Sequence, residues 1–192
     1  EKMYYTLADV HEDMSKHGFI VKYDYRATPY IDNIKPIKIY QDTREQTPLR
    51  FDSEVEIMKL PCGDYAPSSE YYSDVVVERK SLSDLVGTLT AGKERFYKEI
   101  EKAQTMGLYL VVLVEELYSE VLVYTSTNKF SKKVNGAHIF HEIRQICDLF
   151  ENIQFLFSGN RKRSSDLVEK IFRMGNSVKS LDLEFLNVNG LI

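Results

Sequence analysis

The chain has 192 residues, 43% of them hydrophobic, and a formal net charge of −4, which suits one compact α/β domain with extensions, or at most two small ones. There is no run of about 18 uncharged apolar residues, so a membrane span is not expected, and the N-terminal EKMYYTLADVHED has no apolar signal core. The two cysteines, Cys62 and Cys147, form neither a disulfide framework nor a metal-ligand spacing, which leaves a reducing cytoplasm as the default compartment.

In chain order, residues 4–17 read as a helix, 19–25 alternate like a short strand, and 26–36, with Pro29 and Pro36, read as a connection. Strands are expected at 37–41, 54–60 and 64–67, separated by turns at 42–48 and Pro61-Cys62-Gly63. After a loop at 67–73, a strand is expected at 74–80. Its Val75-Val76-Val77 is a continuous apolar run, as in a strand covered on both faces. Leu82, Leu85, Val86 and Leu89 form a helical stripe, which Phe96, Ile100 and Ala103 continue after Gly92. Residues 108–115 are a second buried strand, and 116–135 are less regular. An amphipathic helix follows at 138–150, then a strand at 153–157. Asp166 and Glu169 resemble a capping box opening a last helix at 166–174. Strands alternate with helices after residue 74 and the early strands look like antiparallel hairpins. A mixed central sheet flanked by helices is therefore expected. The tail 176–192 is apolar through Leu181, Leu183, Phe185, Leu186, Leu191 and Ile192, and is expected to dock on the core or form a dimer contact.

The stretch GDYAPSSEYYSDVVVERKSLSD, residues 63–84, concentrates the chemistry. Side chains alternate along a strand, so Glu78 and Lys80 share a face and Arg79 points away. Their Cα atoms lie roughly 6–7 Å apart at about 3.3 Å per residue. Glu78 can then ligate a cation while Lys80 reaches a water at the same cation. Asp64 follows a glycine turn that can bring its carboxylate to that face. Mg²⁺ prefers oxygen ligands and keeps several waters, so two or three carboxylates suffice. The cluster Asp42, Asp64, Glu78 and Asp84 would otherwise repel itself, by roughly 4 kcal/mol per pair at 4 Å and an effective dielectric of about 20. Lys80 and Arg44 offset that repulsion in part, and a divalent ion would complete it. A metal-dependent phosphodiesterase fits this set. The overall charge runs against a nucleic-acid binder, which is usually basic. However, residues 1–78 carry 9 Lys+Arg against 15 Asp+Glu, whereas 79–192 carry 16 against 14. A local basic rim therefore remains compatible with the composition.

The motif GDY followed by ERKxxxD resembles the nuclease domain of the XPF-type structure-specific endonucleases. Here it reads Gly63-Asp64-Tyr65 and Glu78-Arg79-Lys80-Ser81-Leu82-Ser83-Asp84. Asp42-Thr43-Arg44-Glu45 matches the family's Asp-x-Arg-Glu box. Gly92-Lys93-Glu94-Arg95-Phe96 matches its Gly-Arg segment, with Lys93 where arginine is usual. The section from Val134-Asn135-Gly136 to Asn160-Arg161 is similar to compact bacterial and phage members. The resemblance implies a restriction-endonuclease-like core at 36–175, preceded by an extension at 1–35. It also implies Mg²⁺- or Mn²⁺-dependent cleavage of branched, flapped or junction DNA in repair or recombination, in a bacterial or phage-infected cytoplasm. By position, Asp42, Asp64 and Glu78 are the metal ligands and Lys80 is the catalytic lysine. Arg44, Arg79 and Asp84 complete the catalytic set. The alternatives are a non-catalytic DNA-structure-binding or scaffolding relative, and a nuclease acting on ordinary duplex DNA or RNA in a defence system.

DNA contacts are expected from Lys93 and Arg95, from Lys129, Lys132 and Lys133 beside Phe130, and from Arg161, Lys162 and Arg163. The tandem helix-hairpin-helix module of larger relatives does not fit in 176–192. Branch specificity would then come from a homodimer, a partner protein or the nuclease domain itself.

Overall fold

The computed structural model describes residues 37–68, 73–125 and 134–192 in full, and the backbone of 21–24 and 27–31. The helix expected at 4–17 and the Lys129–Lys133 segment lie outside the described residues. Strands β1 (Val21–Asp24) and β2 (Ala27–Ile31) pair antiparallel as a two-stranded sheet, so 27–31 is a strand rather than part of a connection. No described helix is long and apolar enough to cross a membrane.

The main sheet has six strands: β3 (Lys38–Asp42), β4 (Glu54–Met58), β5 (Tyr65–Pro67), β6 (Val75–Lys80), β7 (Tyr109–Val114) and β8 (Ile153–Phe157). Their spatial order is β4-β3-β5-β6-β7-β8. β5 pairs antiparallel with both β3 and β6, whereas β6, β7 and β8 run parallel. β3 and β4 also pair in parallel, which corrects the antiparallel hairpin expected there. A hairpin needs only a tight turn. Here residues 43–53 instead carry the chain back along the sheet, anchored by Leu49, 5% exposed, and by Phe51 edge-on to Tyr65.

Helices cover both faces. α1 (Leu82–Leu89), α2 (Lys93–Thr105), α3 (Tyr118–Val123) and α4 (Gly136–Leu149) pack on the face that carries Val76, Leu110, Val112 and Val114. α5 (Arg161–Met174), a 3₁₀ turn at Gly175–Ser180 and α6 (Leu183–Val188) cover the face that carries Ile39, Val75, Val77, Val111 and Leu113. Val75-Val76-Val77 is thus buried from both sides, as its apolar run implied.

α1 and α2 are separate helices, broken at Thr90–Gly92, where the apolar stripe is interrupted. Two other helical features differ from expectation. A short helix, α3, occupies part of the irregular stretch. α5 begins at Arg161, where the Asn160 side chain accepts from the Arg163 amide; that cap replaces the Asp166–Glu169 box. The apolar tail packs on the core, with Leu183, Leu186, Leu191 and Ile192 buried. On edge strand β8, Glu184 accepts from the Phe157 amide and Asn187 donates to its carbonyl. The other edge, β4, is exposed along its length and carries Glu54 and Glu56 paired to Lys38, a charged edge that discourages strand addition.

Candidate active site

Three strands bring the GDY and ERK segments together. The Asp42 amide donates to the Asp64 carbonyl and the Asp64 amide donates to the Val77 carbonyl, both at 2.8 Å. Asp64 is therefore held between the ends of β3 and β6. Gly63 makes this approach with φ +73°, and a Cβ there would meet the Val77 carbonyl at 3.0 Å, so glycine is the residue the turn accepts.

On β6 the alternation holds. Lys80 is 7% exposed, with Nζ 3.0 Å from Glu78 Oε1 and 5.2 Å from the centre of the Phe96 ring. Arg79 emerges on the opposite face, where it pairs with Glu45 and Glu115 at 3.0 Å each. Burial opposes its charge, but the hydrogen bonds and charge of Glu45 hold the guanidinium above its ordinary pKa.

Asp64 accepts from the Arg79 amide at 2.8 Å. Burial first, and then the Glu78 charge, push its carboxyl up to about 7. An acid displaced this far by desolvation and a like charge is characteristic of functional clefts. Asp64 and Glu78 line a cavity of about 240 Å³ with Arg44, Cys62, Glu99 and Lys102. Burial raises the Cys62 thiol to about 11, so it is not a reactive thiolate.

Asp42 is 1% exposed and turned to its own loop. It accepts from Arg44 Nε at 2.6 Å and from the amides of Arg44 and Leu60 at 2.7 Å. The Arg44 hydrogen bond holds it down at about 2. Asp84 accepts from Ser81 Oγ at 2.6 Å while that hydroxyl accepts from the Asp84 amide, a reciprocal cap on α1. Among the described residues no group of three or more His, Cys, Asp or Glu side chains is gathered to hold a metal. The pair Asp64 and Glu78 nonetheless suits a hard cation that keeps most of its waters. A cation there would also offset the burial and the Glu78 charge that raise the Asp64 carboxyl.

The residues expected to contact DNA are scattered. Lys93 pairs with Glu142 and donates to Gln145 Oε1 at 3.3 Å, tying α2 to α4. Arg95 is exposed, 3.8 Å from Glu99. Lys162 is exposed on a second cavity, about 580 Å³, between residues 47–52 and the start of α5. Arg163 donates to Asn187 Oδ1 at 3.1 Å and to the Ile192 carbonyl. Arg161 binds Glu115 and the carbonyls of Thr47 and Pro48.

Sequence reasoning missed Glu99 and Lys102. They stand one position before Ile100 and Ala103, the buried stripe of α2, and that offset aims them at the rim of the cleft. Lys102 also donates to the Pro61 carbonyl at 2.7 Å.

A mixed sheet flanked by helices, with an acid pair and a lysine where β5 and β6 meet, is a restriction-endonuclease-like architecture. The ERCC4 domain profile matches residues 41–171. The chain belongs to the ERCC4 domain family, and its fold is that of an XPF-type nuclease domain. XPF from Aeropyrum pernix in complex with DNA superposes with a TM-score of 0.54 at 19% identity, covering 73% of this chain and 64% of that one. XPF from Aeropyrum pernix in another structure gives 0.52 at 18% identity, with coverages of 71% and 60%. The match thus spans less than two thirds of these neighbours' length. No curated protein matches the chain.

Proposed function

We propose that this chain is a DNA endonuclease that depends on Mg²⁺ or Mn²⁺ and hydrolyses phosphodiester bonds at branched, flapped or junction DNA. The observation that carries this reading is the convergence of Asp64, Glu78 and Lys80, with Asp64 displaced to about 7. Family membership supports the reaction class. The neighbour solved with DNA makes DNA the first substrate to test.

In this reading Asp64 and Glu78 hold the cation, and Asp42 supports it through Arg44. A divalent ion held there would supply an acidified water and neutralise charge on the phosphate. Lys80, fixed against Glu78 and the Phe96 ring, orients the attacking water or steadies charge developing on the phosphate oxygens. Lys102 and Arg44 line the same cleft and offer cations to the flanking phosphates.

The test is a panel of labelled flaps, junctions, duplexes and single strands with each metal. Metal-dependent cleavage that disappears in Asp64→Asn and Lys80→Ala supports the reading, and full activity in either purified variant defeats it. A second reading, a non-catalytic DNA-structure binder, has one observation on its side: Asp42 is committed to Arg44 and Leu60. Tight branched-DNA binding with no cleavage in Mn²⁺ would favour it.

A further inference from the structure

Behind the cleft, on the opposite face of the sheet, lies a second ionic assembly. Glu115 follows the last residue of β7, and its Oε2 accepts from Arg79 at 3.0 Å and from Arg161 at 3.4 Å. Arg79 also donates to Glu45 at 3.0 Å and to Thr47 Oγ1 at 2.7 Å. Arg161 donates to the Pro48 carbonyl at 2.8 Å and to that of Thr47. The side chains of Glu45, Arg79 and Glu115 are 5%, 10% and 12% exposed. One carboxylate therefore joins an arginine on β6 to an arginine on α5, and both arginines grip the segment 45–48. That segment directly follows Arg44, whose guanidinium holds Asp42 and lines the acid cleft.

We propose that Glu115 and Arg161 are positioning residues that clasp residues 43–49 and thereby fix Arg44 and Asp42 at the cleft. The consequence for catalysis rests on the hydrolytic reading above; the clasp itself does not. Neither residue lines the cavity that holds Asp64 and Glu78, so their action runs through the loop. This gives Arg161 a different role from the DNA contact its sequence context suggests. Its guanidinium, 46% exposed, donates through Nη1 to one carboxylate and through Nη2 to two carbonyls. A planar fork is pre-organised to serve all three at once, whereas an ammonium on a flexible stem must give up more freedom to do so.

The test uses the full chain with Arg161→Met, Arg161→Lys and Glu115→Gln, comparing amide exchange at 43–49 with steady-state cleavage. In Arg161→Met and Glu115→Gln, exchange at 43–49 is expected to rise roughly tenfold or more while the β6–β7 amides keep their protection. The kcat should fall by roughly 10- to 100-fold with KM and salt dependence unchanged, as for a displaced catalytic group. Arg161→Lys should recover only part of either quantity. Unchanged exchange at 43–49 overturns the proposal. So does a defect confined to KM and salt dependence that lysine restores, which would make Arg161 a phosphate contact. Loss of the cooperative thermal transition in both Arg161→Met and Glu115→Gln also overturns it, because a local clasp should not hold up the whole fold. If the wild type cleaves nothing, the hydrolytic reading fails, and amide exchange still decides the clasp.

Discussion

Asp64→Asn should stabilise the metal-free protein at alkaline pH and leave it unchanged in acid. The carboxyl is pushed from its ordinary 3.8 to about 7 by burial and then by Glu78. Below about pH 4 the side chain is protonated in both the folded and unfolded chain, and the fold bears no charge penalty. Between about 4 and 7 the unfolded chain ionises while the fold keeps its proton, so stability falls as pH rises. Above about 7 the fold is ionised too, and the cost reaches its full value. At 1.36 kcal/mol per pH unit the full gap is about 4 kcal/mol. Glu78 shares the charge in a cleft that admits water, so the expected gain from asparagine is about 2 kcal/mol. Asparagine keeps an oxygen for the Arg79 amide, so no hydrogen bond is lost.

For a chain of this size that gain corresponds to a rise of about 4–8 °C in Tm. Thermal melts in chelator at pH 4, 6 and 8 measure it. The variant should match the wild type at pH 4 and exceed it progressively to pH 8. Added Mn²⁺ should then raise the wild-type Tm at pH 8 by mass action and leave Asp64→Asn unmoved. An offset independent of pH, or a variant less stable at pH 8, would refute the account of Asp64 as a buried acid strained by its neighbour.

Lys80→Ala should lower single-turnover cleavage by roughly 100- to 1000-fold and leave branched-DNA affinity in a gel-shift assay unchanged. Tyr65→Phe should cost about 1–3 kcal/mol, because the fully buried hydroxyl accepts from the Leu49 amide at 2.8 Å and phenylalanine leaves that donor unpaired; urea denaturation measures it. Gly136→Ala should cost about 1–3 kcal/mol or more by the same assay, since its Cβ would stand 2.1 Å from the Leu122 carbonyl and force α3 and α4 apart.

The legible parts of this fold are those whose cause is local. Three adjacent valines require cover on both faces, and β6 has it. Period-2 alternation puts Glu78 with Lys80 and sends Arg79 away, and the structure does the same. The stripe Phe96, Ile100 and Ala103 is the buried face of α2. What escaped is non-local. Nothing near residues 54–58 shows whether they pair with β3 in parallel, because that depends on where a long return segment finds its anchors, here Leu49 and Phe51. α5 starts before the Asp166–Glu169 box because the Asn160 side chain accepts from the Arg163 amide, a cap that sequence reasoning missed. Asp42 was readable as an acid near the site, but not its partner: its carboxylate accepts from the guanidinium of Arg44, two residues away, which itself lines the cleft.

Glu78, Arg79 and Lys80 show why one tripeptide carries so much of the site. A strand covered on both faces leaves its last residues at the point where both hydrophobic layers end. Side chains there can be charged although nearly buried, because each finds an oppositely charged partner, and successive residues serve opposite faces. Glu78 and Lys80 meet Asp64 and the Phe96 ring on one side. On the other, Arg79 meets Glu45, Thr47 and Glu115 and secures the segment that carries Arg44. Shifting the tripeptide by a single position would put the acid into the arginine network and the arginine into the cleft. The spacing of the motif is therefore a consequence of the pleat: cleft chemistry and loop anchorage sit within about 7 Å of each other along one strand, separated by the thickness of the sheet.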